Sequence, residues 1–176
     1  VDQGYGDNDD LAWMEWVNKD KVAYLKMDRK QKNWDLMIAD RATGRSLKVL
    51  SESDPEGWLE NHGHIRFVKD GKIVWISENS GYKHIWMSKH SGSRTWPVTE
   101  GQWEVSSIVH IDEENELLYF MANKESVFER RFYSVRFDGT ELTLLTTEVG
   151  NHRIHVTGLK TYFIDKEKER LLRQVR

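Results

Sequence analysis

The sequence predicts an all-β chain, a partial β-propeller of about three four-stranded antiparallel blades plus the start of a fourth. Three observations carry that prediction. The apolar content leans on Trp (8), Tyr (6) and Phe (6) together with Val and Ile, residue types that suit a pleated, half-buried surface. A strand, turn, strand, turn, strand pattern occurs three times, its turn glycines Gly44, Gly92 and Gly139 spaced by 48 and 47 residues, the length of one four-stranded blade. Each glycine follows a small polar residue, in Thr43-Gly44, Ser91-Gly92 and Asp138-Gly139, where the absence of a Cβ admits the positive φ of a tight hairpin.

The first blade, about residues 11–50, opens on Leu11 to Val17. It continues through Val22-Ala23-Tyr24-Leu25, Asp35-Leu36-Met37-Ile38-Ala39 and, after Gly44, Leu47-Lys48-Val49-Leu50. The second, about 64–99, runs from Ile65–Val68 through Ile73-Val74-Trp75-Ile76 and His84-Ile85-Trp86-Met87 to Trp96-Pro97-Val98-Thr99. The third, about 104–146, runs from Val105–Ile111 through Leu117-Leu118-Tyr119-Phe120 and Phe132-Tyr133-Ser134-Val135 to Thr143-Leu144-Leu145-Thr146. Predicted strands fall near 11–17, 21–28, 33–40 and 45–50, near 64–69, 72–78, 83–90 and 94–99, and near 104–111, 116–122, 130–137 and 141–146. A partial unit over 154–176 begins with Ile154-His155-Val156 and Thr161-Tyr162-Phe163-Ile164. All four belong to one β-propeller domain spanning 1–176. Runs such as Ile73-Val74-Trp75-Ile76 do not alternate cleanly, as expected of strands covered on both faces. Short strands with frequent turns also fit a β-sandwich; the 47–49-residue period separates the two.

Charge and composition exclude several function classes. Lys plus Arg (26) nearly balances Asp plus Glu (29), which leaves no electrostatic footprint for nucleic acid or an anionic membrane. The apolar runs are too short to span a bilayer as a helix. With no cysteine, disulfides, zinc-thiolate sites and thiol nucleophiles are ruled out. The chain starts at Val1 without an initiator Met and ends in the charged run Lys166-Glu167-Lys168-Glu169-Arg170, and reads as an excised piece of a longer protein.

The stretch Trp75-Ile76-Ser77-Glu78-Asn79-Ser80-Gly81-Tyr82-Lys83-His84-Ile85-Trp86, followed by Val98-Thr99-Glu100-Gly101-Gln102-Trp103-Glu104-Val105, resembles the propeller domain of the dipeptidyl peptidase IV family and its bacterial relatives. The likeness continues through Asp112-Glu113, Arg131-Phe132-Tyr133-Ser134-Val135, Asp138-Gly139 and Leu144-Leu145-Thr146 and covers roughly residues 11–165. The resemblance implies an eight-bladed propeller followed by an α/β-hydrolase domain, with substrate entering a chamber between them. This chain looks like the later blades only. It has no Gly-x-Ser-x-Gly elbow, the pentapeptide that exposes a hydrolase nucleophile. The family's paired glutamates, which bind the substrate's amino terminus, are expected in an earlier blade. Glu113-Glu114 is an adjacent acidic pair, but its place in a turn makes it a solvated pair rather than that site.

Seven histidines invite a metal reading. His62-x-His64 would share a face if extended, yet no third ligand follows at a recognisable spacing. His152 and His155 stand i, i+3 between Gly150 and Gly158, in a loop entering a strand. His84 reads either as a catalytic base or as a hydrogen-bonding tie between strands through Glu78 or Ser77, and with no nucleophile in the chain the tie is the expectation. Trp58, Trp75, Trp86, Trp96 and Trp103 read as wedges between blades rather than as a sugar or peptide groove. The irregular connection Asp54–His64 matches a crossover that, by resemblance, approaches the central chamber; Trp58, Glu60 and Asn61 are its candidate substrate contacts. No catalytic residue, metal ligand set or cofactor is assigned.

The expected function is a non-catalytic scaffold and substrate gate in a serine-type exopeptidase that removes amino-terminal dipeptides. Expected partners are the parent's α/β-hydrolase domain and remaining blades, peptide substrates, and other copies of the fragment, but neither nucleic acid nor membrane. By resemblance the parent is a bacterial, periplasmic or otherwise exported protein. The alternative from another class is a stand-alone propeller module that binds protein or carbohydrate; a downstream nucleophile elbow discriminates the two.

Overall fold

A computed structural model describes residues 9–59, 65–89, 92–157, 162–165 and 170–174. The first sheet is a meander of β1 (Asp9–Asn18), β2 (Lys21–Asp28), β3 (Asn33–Asp40) and β4 (Ser46–Ser53), in the order β1-β2-β3-β4. The second comprises β5 (Arg66–Val68), β6 (Lys72–Ser77), β7 (His84–Lys89) and β8 (Thr95–Pro97), and the third β9 (Val105–Asp112), β10 (Leu117–Ala122), β11 (Arg131–Arg136) and β12 (Thr143–Leu144), each in chain order across the sheet. A fourth sheet holds β13 (Ile154–Thr157), β14 (Tyr162–Asp165) and β15 (Arg170–Gln174). The fold is therefore all-β, a partial β-propeller; among the described residues the only helical element is the single 3-10 turn Lys69–Gly71.

The predicted strands coincide with the observed ones over β2 and β3 and differ elsewhere mainly at their ends. Two final strands are shorter than expected, for one reason repeated 47 residues apart. In the second sheet the N–H groups of Val98 and Thr99 both donate to the carbonyl of Ile85, at 2.8 and 3.3 Å. The Thr99 hydroxyl accepts the Ile85 N–H at 2.9 Å. In the third sheet Leu145 donates to the Phe132 carbonyl at 2.8 Å, and the Thr146 hydroxyl accepts the Phe132 N–H at 3.1 Å. A buried hydroxyl thus replaces the next ladder bond, and regular pairing stops at Pro97 and Leu144 without leaving an orphaned donor. The partial unit has one strand more than the two foreseen, β15, which begins at Arg170 where the sequence reads as a charged tail.

The chain divides into two compact units, residues 1–74 with 88–95, and 75–87 with 96–176. In the first, Leu25, Leu36 and Leu50 lie in one register row and are all buried. The row Met14, Tyr24, Met37 and Lys48 on the opposite face leaves Met14 63% exposed. In the second unit both faces of the third sheet are covered. Phe120 stacks on Tyr133 at 5.6 Å and on Trp103 at 6.4 Å. On the other face Tyr119, Met121 and Phe132 pack with Val109, Leu145, Ile154 and Val156. Each such aromatic ring removes roughly 150–250 Å² from water, which is why β10 reads as an unbroken apolar run.

Candidate functional site

The connection after β4 is organised over Asp54–Leu59. Asp54 N–H donates to the Lys32 carbonyl at 2.8 Å and Leu59 N–H to the Gln31 carbonyl at 2.9 Å, so the loop lies along the β2–β3 turn. The Asp54 carboxylate accepts the N–H groups of Glu56 at 3.0 Å and Gly57 at 2.7 Å, and Lys32 Nζ donates to the Pro55 carbonyl. A Cβ at Gly57 would collide with that carboxylate. Leu59 is buried as an anchor, and Trp58 is held outward, 68% exposed. Of the three predicted contacts, Trp58 is therefore displayed at the surface, while Glu60 and Asn61 lie outside the described residues, as do His62 and His64.

His84 is 1% exposed, and its hydrogen bonds differ from those expected. Its Nε2 lies 2.9 Å from the Gly101 carbonyl and its Nδ1 3.0 Å from the Thr99 hydroxyl. A carbonyl only accepts, so Nε2 carries the proton, and Nδ1 accepts from the Thr99 hydroxyl, which itself accepts from Ile85 N–H. Trp103 meets the ring edge-on at 4.8 Å. Glu78 instead pairs with Lys83 at 3.1 Å, and Ser77 Oγ accepts the N–H of Asn79 at 3.1 Å, each closing its own turn. Gly101 aims its carbonyl at the imidazole from φ 133°, and a Cβ there would strike Trp103. Although a hydroxyl beside an imidazole is the start of a nucleophile–base pair, here both are sealed from solvent and the far nitrogen is capped by a carbonyl. The arrangement ties strands together.

A second imidazole contact escapes sequence reading. His152 Nδ1 bonds the Asp165 carboxylate, with both side chains fully buried, and His152 Nε2 lies 2.9 Å from the Glu148 carbonyl. The spacing to His155 draws attention first, but His155 is exposed and the true partner stands 13 residues on, at the end of β14. Glu113 and Glu114 lie in the β9–β10 turn, as expected. Among the described residues no group of three or more His, Cys, Asp or Glu could hold a metal ion.

One depression of about 240 Å³ in the first unit is lined by Asp9, Lys26, Asp28, Asn33, Trp34 and Asp35. Its carboxylates are engaged internally. Asp9 pairs with Lys26 at 2.8 Å, and that hydrogen bond holds the ammonium above its ordinary range. Asp28 accepts from Asn33 Nδ2 at 2.6 Å and from Lys32 N–H at 2.9 Å, which lowers its pKa. Asp35 takes Ser51 at 2.7 Å and Lys48 at 3.4 Å. Elsewhere burial lowers His110 and raises Tyr133 to about 12.

The family profile described as "Dipeptidyl peptidase IV (DPP IV) N-terminal region" matches residues 4–170. A protein named "Probable dipeptidyl peptidase 4" from Emericella nidulans is 32% identical over 150 residues, covering 79% of this chain and 19% of the relative. The dipeptidyl peptidase 4 of Trichophyton equinum is 31% identical over 144 residues, covering 79% and 18%. The crystal structure of Porphyromonas gingivalis dipeptidyl peptidase 4 superposes with a TM-score of 0.78 at 16% identity, over 100% of this chain and 27% of that one. The chain spans about a fifth of the length of the curated relatives it matches.

Proposed function

Because the chain belongs to the dipeptidyl peptidase IV N-terminal region family, we propose that it is the non-catalytic propeller portion of a dipeptidyl-peptidase-IV-like serine exopeptidase. It serves as scaffold and substrate gate for an α/β-hydrolase domain that removes amino-terminal dipeptides, in an exported parent. The profile match over 4–170, falling on successive four-stranded meanders, is the observation that carries this reading. Two features of the chain support the scaffold role. Its sequence contains no Gly-x-Ser-x-Gly elbow, and the two imidazole contacts described above are buried ties whose far nitrogens meet carbonyls.

Rigidity is what a gate needs from its frame, since loops on a rigid scaffold hold binding groups in place. The Asp54-centred loop is built that way, tied to the Asp54 carboxylate and to the β2–β3 turn, with Trp58 presented outward. The test is to label the full-length parent with a serine-directed fluorophosphonate and map the modified residue. The proposal expects one labelled serine outside residues 1–176. Label on a serine within them, or a parent that takes no label while hydrolysing an X-Pro amide, would contradict it.

A further inference from the structure

The two ends of the third sheet differ in character. In an antiparallel meander the first and third turns share one end, while the middle loop and the exit to the next sheet share the other. At the first end the β9–β10 turn exposes Glu114, Asn115 and Glu116, and the β11–β12 turn exposes Asp138, Thr140 and Glu141. Its one exposed large apolar residue is Leu142, at 38%. At the other end the β10–β11 loop exposes Val127 at 69% and Phe128 at 85%, and the exit from β12 exposes Val149 at 73%.

This apolar end is held in place by its own hydrogen bonds. Asn123 Oδ1 accepts Glu104 N–H at 2.6 Å, and Ser126 and Glu129 close successive turns onto Asn123 O at 3.2 Å and Ser126 O at 3.1 Å. Arg130 Nη1 donates back to the carbonyls of Val127 at 3.1 Å and Glu129 at 3.2 Å. Arg130 N–H reaches Asn151 Oδ1 at 2.9 Å, and His152 N–H returns to Arg130 O at 3.0 Å, so the two loops are hydrogen-bonded to each other. Glu129 is taken by Arg131 at 2.6 Å, which lowers its pKa. Glu129 is thus held by Arg131, and the tip offers a preorganised apolar contact, bordered by the exposed Lys124 and Glu125, to an apolar surface.

We propose that the Val127–Phe128 tip, with Val149 on the adjoining loop, is the surface on which the second unit receives the catalytic domain of its own parent chain. It rests on the reading that such a domain exists. Area favours this occupant over a second copy. Three side chains of this size supply on the order of 500 Å² at most, short of the roughly 800 Å² that each partner of a stable pair of separate proteins buries. A tethered neighbour needs far less, because its effective concentration is already in the millimolar range. Relatives of which this chain covers 19% leave ample chain to supply that neighbour.

The test uses the full-length parent. Hydroxyl-radical footprinting reads the oxidation rate of Phe128 in the unsubstituted native protein against the same protein in denaturant. The proposal expects at least tenfold protection of Phe128, whereas a thiol placed at the polar end by Glu114→Cys reacts within about twofold of its denatured rate. A Val127→Cys variant, which keeps Phe128, carries a short photo-crosslinker and is expected to couple within the same chain to the domain that bears the fluorophosphonate-reactive serine; coupling to another blade instead would overturn the proposal. An unprotected Phe128, or crosslinks that join two copies and vanish on dilution, would overturn the proposal. Failure of the functional reading is seen separately, as the absence of a reactive serine in the fluorophosphonate experiment.

Discussion

Thr99→Val is the sharpest probe of how the second blade is held together. The substitution keeps the shape and removes a hydroxyl that is 3% exposed and joins two partners, Ile85 N–H at 2.9 Å and His84 Nδ1 at 3.0 Å. Both are then buried with nothing to bond. A stranded buried polar group costs about 1–3 kcal/mol, so two orphans predict a loss of about 2–6 kcal/mol. Thr146→Val supplies an internal control at the position 47 residues on, because that hydroxyl accepts only the Phe132 N–H, at 3.1 Å. One orphan predicts about 1–3 kcal/mol. Urea unfolding reads the difference as a lower midpoint at unchanged slope. The reasoning is refuted if Thr99→Val costs no more than Thr146→Val.

Glycine positions separate a backbone penalty from a collision. A Cβ at Gly92 would strike the carbonyl of Val49, whereas Gly81, also at positive φ, has nothing within 4 Å. Gly81→Ala is expected to cost about 1 kcal/mol and Gly92→Ala distinctly more in the same urea assay; equal costs would contradict the close approach. Burial lowers the pKa of His110, so the unfolded chain takes up its proton first as pH falls. Stability should therefore decline as pH drops below about 6.5, and His110→Gln should reduce that decline, with an unchanged slope counting against it. Tyr133 is the opposite case. Its phenol is buried, and burial, with the nearby Glu125 carboxylate adding to it, raises it to about 12. The unfolded chain ionises first, so this residue's contribution is lost between about pH 10 and that value. Absorbance titration at the tyrosinate band should lose its highest-pH component in Tyr133→Phe, and a band unchanged in that variant would count against the assignment.

The strand plan was legible because blade repetition is written in glycine spacing and in compact apolar clusters. Strand ends were less so. That Thr99 and Thr146 would turn inward to cap Ile85 and Phe132 is a matter of tertiary placement, and no local propensity separates those threonines from solvent-facing ones. His84 was recognisable as a tie, but its nearby candidates Glu78 and Ser77 are consumed within their own turns, so the partners came from 15 and 17 residues away. His152 was harder still, since its carboxylate sits on a strand of the next sheet. Val127-Phe128 carries only a faint signal, an apolar pair inside the polar run Asn123–Arg131.

The central claim, that this chain is the non-catalytic frame of a dipeptidyl peptidase, is tested most directly by dipeptide release. Purified residues 1–176 and the full-length parent are compared on a chromogenic X-Pro amide, each with and without a serine-directed covalent inhibitor. The account predicts inhibitor-sensitive turnover by the parent and none by the chain alone. Turnover by the chain that scales with its concentration, survives further purification and is abolished by the inhibitor would contradict it.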